Sequence, residues 1–448
     1  MTREEARHLL AEALATSAAD ATEARLELLA RGLTRFAENG VHQHVEQRDQ
    51  VLTLRAWAGR RSGIASTNRF EPSALRRTAD RALALARLAP EDEAAPGPAP
   101  APAASGAGPE RFVPATADCP PEARADALAP LLADVARRGL DAAGALSTTT
   151  QALGLASTAG LFAWHAGTRA HFTCTVRGPD SSGWADAHRA DWRALDLPAL
   201  VATATGKCER SRAPAAVEPG PWDVILEPAA VAELVQFLGV LGLGARAEQE
   251  GRSFLSGRLG ERVTGERVTL RDDAADPRGF GRPFDDEGVP RSRPVLIERG
   301  IARGVVHDRR TAARAGVAST GHASPPPAAD GPLPHDLVLE PGTDTLADLV
   351  ATTERGLLVT RFWYNRVVDA RRTIVTGMTR DGTFRIANGR LVGGVRNLRF
   401  NDSVLGALAR ADGFTAAAEP SVFEWSGACV VAPALRVRAF TFSSASPF

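Results

Sequence analysis

Residues 221–252 read PWDVILEPAAVAELVQFLGVLGLGARAEQEGR, a strand, a helix and a glycine-punctuated exit in that order. Val224, Ile225 and Leu226 form the short apolar strand, which enters the helix through Glu227 and Pro228. Beginning near Ala229, the apolar residues Val231, Leu234, Val235, Leu238 and Leu241 recur at helical spacing. Pro228 suits the first turn, where an N–H would have no helical partner anyway. Gly239, Gly242 and Gly244 break the pattern before Glu250-Gly251-Arg252-Ser253-Phe254. The segment therefore predicts a central helix over 229–241, buried on the face of Val231, Leu234, Leu238 and Leu241.

Beyond this unit the chain is rich in short strands separated by glycine and proline, at 263–270, 293–297, 337–340, 356–362, 374–378, 383–387 and 434–442, with one helix at 345–354. Before it, the proline-bearing stretch 213–221 marks a boundary. Upstream lie a short helix at 197–204 and an alternating segment at 142–176, in which Ala170, Phe172, Cys174 and Val176 share one face, and before these an amphipathic helix at 120–139. Residues 90–109 turn to alanine, proline and glycine and read as a flexible surface loop. The chain opens with a helix at 3–17, capped by Thr2 with Glu4 and Glu5 in its first turn. Strands at 24–29, 41–46, 51–58 and 63–66 follow, then a helix at 72–88. The expected fold class is α+β: a small helix-sheet-helix domain over 1–90, a loop over 91–110, a middle α+β segment over 111–215 and a large, mainly β domain over 216–448.

The chain downstream continues as GRSFLSGRLGERV, TLRDDAADP, GRPFDDEGVPR, RGIARGVVHDRRTAARAG and ASTGHA, and upstream it holds RFAENGVHQHVEQRD and LTLRAWAGRRSGIASTN. In that order these pieces resemble the TldD/PmbA family of metallopeptidases along nearly the whole chain. One kind of subunit in that family, TldD, carries H-E-x-x-x-H on the central helix, two imidazoles for zinc beside a glutamate that serves as general base. The corresponding positions here are Gln236, Phe237 and Leu241, and no histidine occurs between His188 and His307. The chain thus resembles the PmbA (TldE) kind. The resemblance implies no cofactor and no metal in this chain, and zinc in a TldD-like partner.

Composition narrows the alternatives. The 448 residues carry 53 basic and 53 acidic side chains, so no electrostatic footprint points to nucleic acid or a membrane surface. Lys207 is the single lysine among many arginines, the bias of a high-GC genome. Cys119, Cys174, Cys208 and Cys429 lack the paired spacing of a zinc or redox motif and read as buried thiols. The amino terminus has no apolar signal core, and no stretch reaches the ~20 apolar residues of a membrane span. The expected location is the cytoplasm.

Several groups could carry chemistry. His42 and His44 share a strand face but lack a third donor, and the pair His165 and His171 meets the same objection. The acidic cluster Asp272, Asp273, Asp285, Asp286 and Glu287 could bind a hard cation, but Arg271, Arg278, Arg282 and Arg291 stand ready to pair with it. Ser319 and His322 are too close in sequence for triad geometry and read as a turn; His307-Asp308 is uninformative alone. Arg252 can clamp a substrate carboxylate or form a salt bridge. Trp363, Tyr364 and Asn365 form a polar aromatic cluster suited to a substrate or partner surface. Two functions follow: the metal-free subunit of a two-component peptidase acting on peptides or peptide-like biosynthetic intermediates, or a regulatory, protein-binding module without hydrolytic activity.

Overall fold

The computed structural model describes residues 1–101, 111–423 and 425–446. Long alternating segments in the amino-terminal half build one antiparallel sheet from β1 (Ala21–Ala37), β2 (Gly40–Ala58), β3 (Arg61–Thr67), β4 (Asp141–Ser157), β5 (Phe162–Arg177) and β6 (Ser182–Arg189). Their order is β3-β2-β1-β4-β5-β6. The stretches 41–46 and 51–58, expected as two strands, are one continuous β2. Because β1 pairs with β2 on one side and β4 on the other, segments 1–90 and 111–215 meet in a single sheet.

Helices cover one face of it. α1 (Arg3–Ala15) begins at a capping box, the Thr2 hydroxyl accepting from Glu5 N–H while Thr2 N–H donates back to Glu5. With α2 (Pro72–Leu88) it buries Ala24 and Leu26 of β1. After the single turn α3 (Pro114–Ala117), α4 (Pro121–Arg137) and α5 (Leu197–Arg210) cover Phe36 and the predicted β5 face of Ala170, Phe172, Cys174 and Val176. α5 can approach because residue 183 is glycine: a Cβ there would overlap the backbone of Ala204 and Cys208. All four cysteines are free and buried.

The opposite, polar face docks on the carboxy-terminal half. Arg25 Nε donates to Asp286 at 2.8 Å, and Arg111 donates to the carbonyls of Asp276 and Pro277. The loop expected to be flexible is pinned where it is described. Asp92 pairs with Arg310, Ala99 N–H donates to Glu23, and Arg309 donates to the Pro96 and Gly97 carbonyls. Residues 102–110 lie outside the described residues.

The second sheet has eleven strands: β7 (Gly220–Leu226), β8 (Leu270–Asp272), β9 (Val295–Glu298), β10 (Ile301–Ala302), β11 (Asp336–Leu339), β12 (Arg355–Asp369), β13 (Ile374–Ala387), β14 (Arg390–Gly394), β15 (Leu398–Ser403), β16 (Ala411–Phe423) and β17 (Ala428–Ala445). Five of them close on themselves, since β7 pairs with β12, β12 with β13, β13 with β15, β15 with β17 and β17 again with β7. Such closure removes sheet edges. Phe362, Phe400, Phe440 and Phe442 pack together in this part of the core, with centroids 4.4 Å apart for Phe362 and Phe400. The expected strand 263–270 is mostly loop, because the Val263 and Thr264 N–H groups both turn to the Gly300 carbonyl. The expected strands 374–378 and 383–387 fuse into β13 across Asp381 (φ 51) and Gly382 (φ 126).

The predicted central helix is α6 (Pro228–Gly242), packed on the closed strands; short helices α7 (Ala245–Gln249), α8 (Arg309–Ala315), α9 (Leu346–Ala351) and α10 (Val404–Ala409) fill the periphery. α6 is more enclosed than one apolar face requires: Val231, Leu234 and Leu238 are buried as expected and Leu241, near its end, only partly, but Ala230, Val235, Gln236 and Phe237 are buried as well. Truncating Leu234 to alanine removes buried side-chain atoms and leaves a void. Leu234→Ala should therefore lower unfolding free energy by about 2–5 kcal/mol in denaturant titration; an unchanged midpoint would place that side chain in water.

Candidate functional site

α6 sets the geometry of the candidate site. Its entry is fixed by Glu227, whose carboxylate holds Lys207 Nζ at 2.5 Å, so the chain's one lysine is spent on a half-buried ion pair. Positions three and four apart align along a helix, and Glu233, Gln236, Phe237 and Val240 form such a stripe. Buried Gln236 donates a long 3.4 Å bond from Nε2 to the Glu233 carbonyl, and its Oε1 has no hydrogen-bond partner among the described residues. The Phe237 ring lies 5.9 Å from that of Trp425, and Leu241 packs against the apolar core. Together the three positions offer a metal one amide oxygen and neither imidazole nor carboxylate.

Glu233, one turn earlier, is not singled out by helical spacing; the available signal is an acid set between Ala232 and Leu234 in an apolar run. Burial pushes its carboxyl up to about 8, opposed by the Arg361 charge and a hydrogen bond from Asn365 and assisted by Asp186. Asn365 Nδ2 donates to Glu233 Oε2, while Asn365 Oδ1 has no partner among the described residues. A protonated Glu233 carries an O–H that this oxygen can accept, closing an acid–amide pair. Asn365 reaches inward because β12 bulges between Trp363 and Arg366, with Tyr364 in the left-handed region at φ 58. Gly377 makes room, since a Cβ there would collide with Asn365 Oδ1.

The sequence cluster Trp363-Tyr364-Asn365 thus divides. Asn365 enters the seam, whereas Trp363 and Tyr364 are 46% and 61% exposed. Arg361 stacks between the two halves of the molecule, its guanidinium 4.5 Å from the Trp184 ring of β6 and 5.4 Å from that of Trp363. It also donates to Asp381. Arg252 does not join them: it bonds Glu250 at the surface, at 2.6 and 2.9 Å. Across the seam β5 and β6 present His171, Asp186 and His188 close together. His165, on the same strand as His171, is six residues or ~20 Å away and cannot share a metal ion with it. The relevant signal was the neighbouring strand, not the same one.

The carboxylates of the acidic cluster are taken up by arginines and backbone N–H groups, Glu287 accepting, among the described residues, only from the Arg309 N–H. Arg291 pairs with Asp272 and Asp336, Arg25 and Arg282 with Asp286, and Arg293 and Arg271 with Asp273. Asp285 accepts from the backbone N–H groups of Glu287, Val289 and Ala323. Ser319 donates to the His307 carbonyl, and His322 Nε2 lies 3.0 Å from Asp272, so the two do not form a nucleophile and base. His44 meets Thr34 at 3.0 Å, on a part of β2 exposed to solvent. No helix among the described residues is long and apolar enough to cross a membrane.

Comparisons agree with this architecture. The profile of the PmbA/TldA metallopeptidase C-terminal domain matches residues 219–444, and that of domain 1 matches residues 23–86. A metalloprotease of Methanothermobacter thermautotrophicus is 29% identical over 201 residues, 43% of this chain and 42% of the relative. A metalloprotease TldD homolog of Haemophilus influenzae is 32% identical over 124 residues, 27% of this chain and 26% of the relative. The matched stretches therefore span well under two thirds of these relatives. In fold the chain is similar to TldE from Thermococcus kodakarensis, at TM-score 0.88 and 19% identity, covering 99% of this chain and 100% of that one. A Thermotoga maritima protein, a candidate modulator of a DNA gyrase, gives TM-score 0.84 at 18% identity, with 99% and 100% covered. With its carboxy-terminal half matched throughout and its first domain matched as well, the chain belongs to the PmbA/TldD metallopeptidase family.

Proposed function

We propose that this chain is the TldE-like subunit of a two-component metallopeptidase, in which a TldD-like partner supplies the catalytic zinc and general base. The observation that carries the reading is on α6, where Gln236 and Phe237 are buried, Leu241 packs against the core, and the three bring no zinc-binding set. Three protein ligands and an open position for water are the usual needs of a zinc hydrolase. This chain instead shapes the chamber and the entry of a peptide or peptide-like biosynthetic intermediate, in the cytoplasm. Asn365 with Glu233 polarises one wall, and exposed Trp363 and Tyr364 form the surface that meets substrate or partner.

Co-expression with a TldD-like chain should give a complex that hydrolyses peptides. Mutating the partner's H-E-x-x-x-H should abolish turnover, whereas Gln236→Ala here should leave it largely intact. Peptidase activity of this chain free of every partner would overturn the assignment. A second reading, a protein-binding module without hydrolysis, is favoured by the exposed rings of Trp363, Tyr364 and Trp425. It would be chosen if the complex forms and cleaves nothing.

A further inference from the structure

Three donor side chains from β5 and β6 meet close enough to α6 for the Asp186 charge to act on Glu233. The register of β5 and β6 places His171 directly opposite His188, and Asp186 stands two residues from His188 on the same strand face. The imidazole rings stack with centroids 4.0 Å apart and planes within 6° of parallel. Asp186 Oδ2 lies 3.8 Å from His171 Nε2 and 3.7 Å from His188 Nε2, and one ligand atom from each residue falls within 4.8 Å of the others.

Beyond one another, the rings have an edge contact of His188 with Phe280, at 6.3 Å between centroids. Among the described residues none of the three side chains makes a hydrogen bond, and buried His188 has an unpartnered Nδ1. Two ligands bound tetrahedrally at about 2.1 Å stand roughly 3.4 Å apart, close to the spacing seen here. We propose that His171, Asp186 and His188 bind one divalent transition-metal ion of the zinc class, leaving a fourth position open to water. Imidazole lone pairs lie in the ring plane, so one ring tilts out of the parallel stack on binding. His171, with 29% of its side chain exposed, is free to tilt, whereas His188 at 4% is held.

The site adds a metal to a chain expected to hold none, and leaves the reading of α6 unchanged because no α6 residue takes part. The experiment uses the full chain alone, stripped of metal and titrated with Zn²⁺ by calorimetry and with Co²⁺ by visible absorption. One ion per chain is expected, with a cobalt spectrum of a low-symmetry nitrogen and oxygen site. Asp186→Asn and His171→Ala should each weaken binding about tenfold or more while leaving the metal-free melting curve in place. Both side chains are partly open to solvent; should Asp186→Asn not fold, His171→Ala decides alone. Failure to take up either ion, or uptake that both variants retain, overturns the proposal. Uptake lost instead on replacing His42 and His44 does so too. None of these outcomes depends on the partner, so they are separable from failure of the two-component reading.

Discussion

Arg291→Met should lower the unfolding free energy by about 3–5 kcal/mol, because it leaves two buried carboxylates without their cation. Arg291 Nη2 meets Asp272 Oδ1 and Nη1 meets Asp336 Oδ2, both at 2.5 Å, with every partner almost wholly buried. Asp272 also accepts from the His335 and Asp336 N–H groups, and this cage ties β8 to β11. Burial opposes the charge on Asp272, but Arg291 and His322 hold its carboxyl well below the usual range. Methionine fills much of the volume, so the loss reports the stranded charge. Adding Asp272→Asn and Asp336→Asn to the variant should recover part of it. A denaturation midpoint that barely moves would mean water reaches the cage.

Glu233→Gln should stabilise the protein at alkaline pH by roughly 4–5 kcal/mol, the opposite of what loss of a useful charge would do. In the fold the Glu233 carboxyl is raised to about 8, chiefly by burial, from an ordinary value near 4.5. A raised acid contributes its stability in full below the ordinary value and loses it as pH climbs through the raised one. Each unit in that window removes about 1.4 kcal/mol. Glutamine keeps the shape of the protonated acid and cannot ionise. Glu287, also raised to about 8 by burial, slopes the same way, so the readout is the difference between wild type and variant. Urea midpoints at pH 5 should nearly agree and at pH 8 diverge; parallel curves would show that Glu233 stays charged throughout.

What could be seen in the sequence was local. The periodicity of α2 and α6, the caps of α1 and the alternating face of β5 follow from neighbours in the chain, and the structure places them as expected. The family likeness rested on ordered short motifs and is shown by the comparisons. Pairing between distant strands was not legible: alternation says that β1 and β4 are strands but not that they are neighbours. The same gap hid the candidate site. Asp186 and His188 acquire meaning only opposite His171, and Glu233 only where a bulge turns Asn365 toward it. Trp363-Tyr364-Asn365 was visible as a cluster, yet φ 58 at Tyr364 decides which member points inward.

The pairing of β1 with β4 bears on the protein's birth. β1 is complete at Ala37 and β2 can fold back on it at once, but the strand for its other side starts only at Asp141. At about 5–20 residues per second, a ribosome leaves that edge open for roughly 5–20 s. An open edge is a template for any other extended chain, including the next copy on the same message. β1 alternates Glu23, Arg25, Glu27, Arg31 and Arg35 on one face. Charges at that spacing interrupt the apolar run that stray strand pairing needs, on a face later met by the carboxy-terminal half through Arg25 and Asp286.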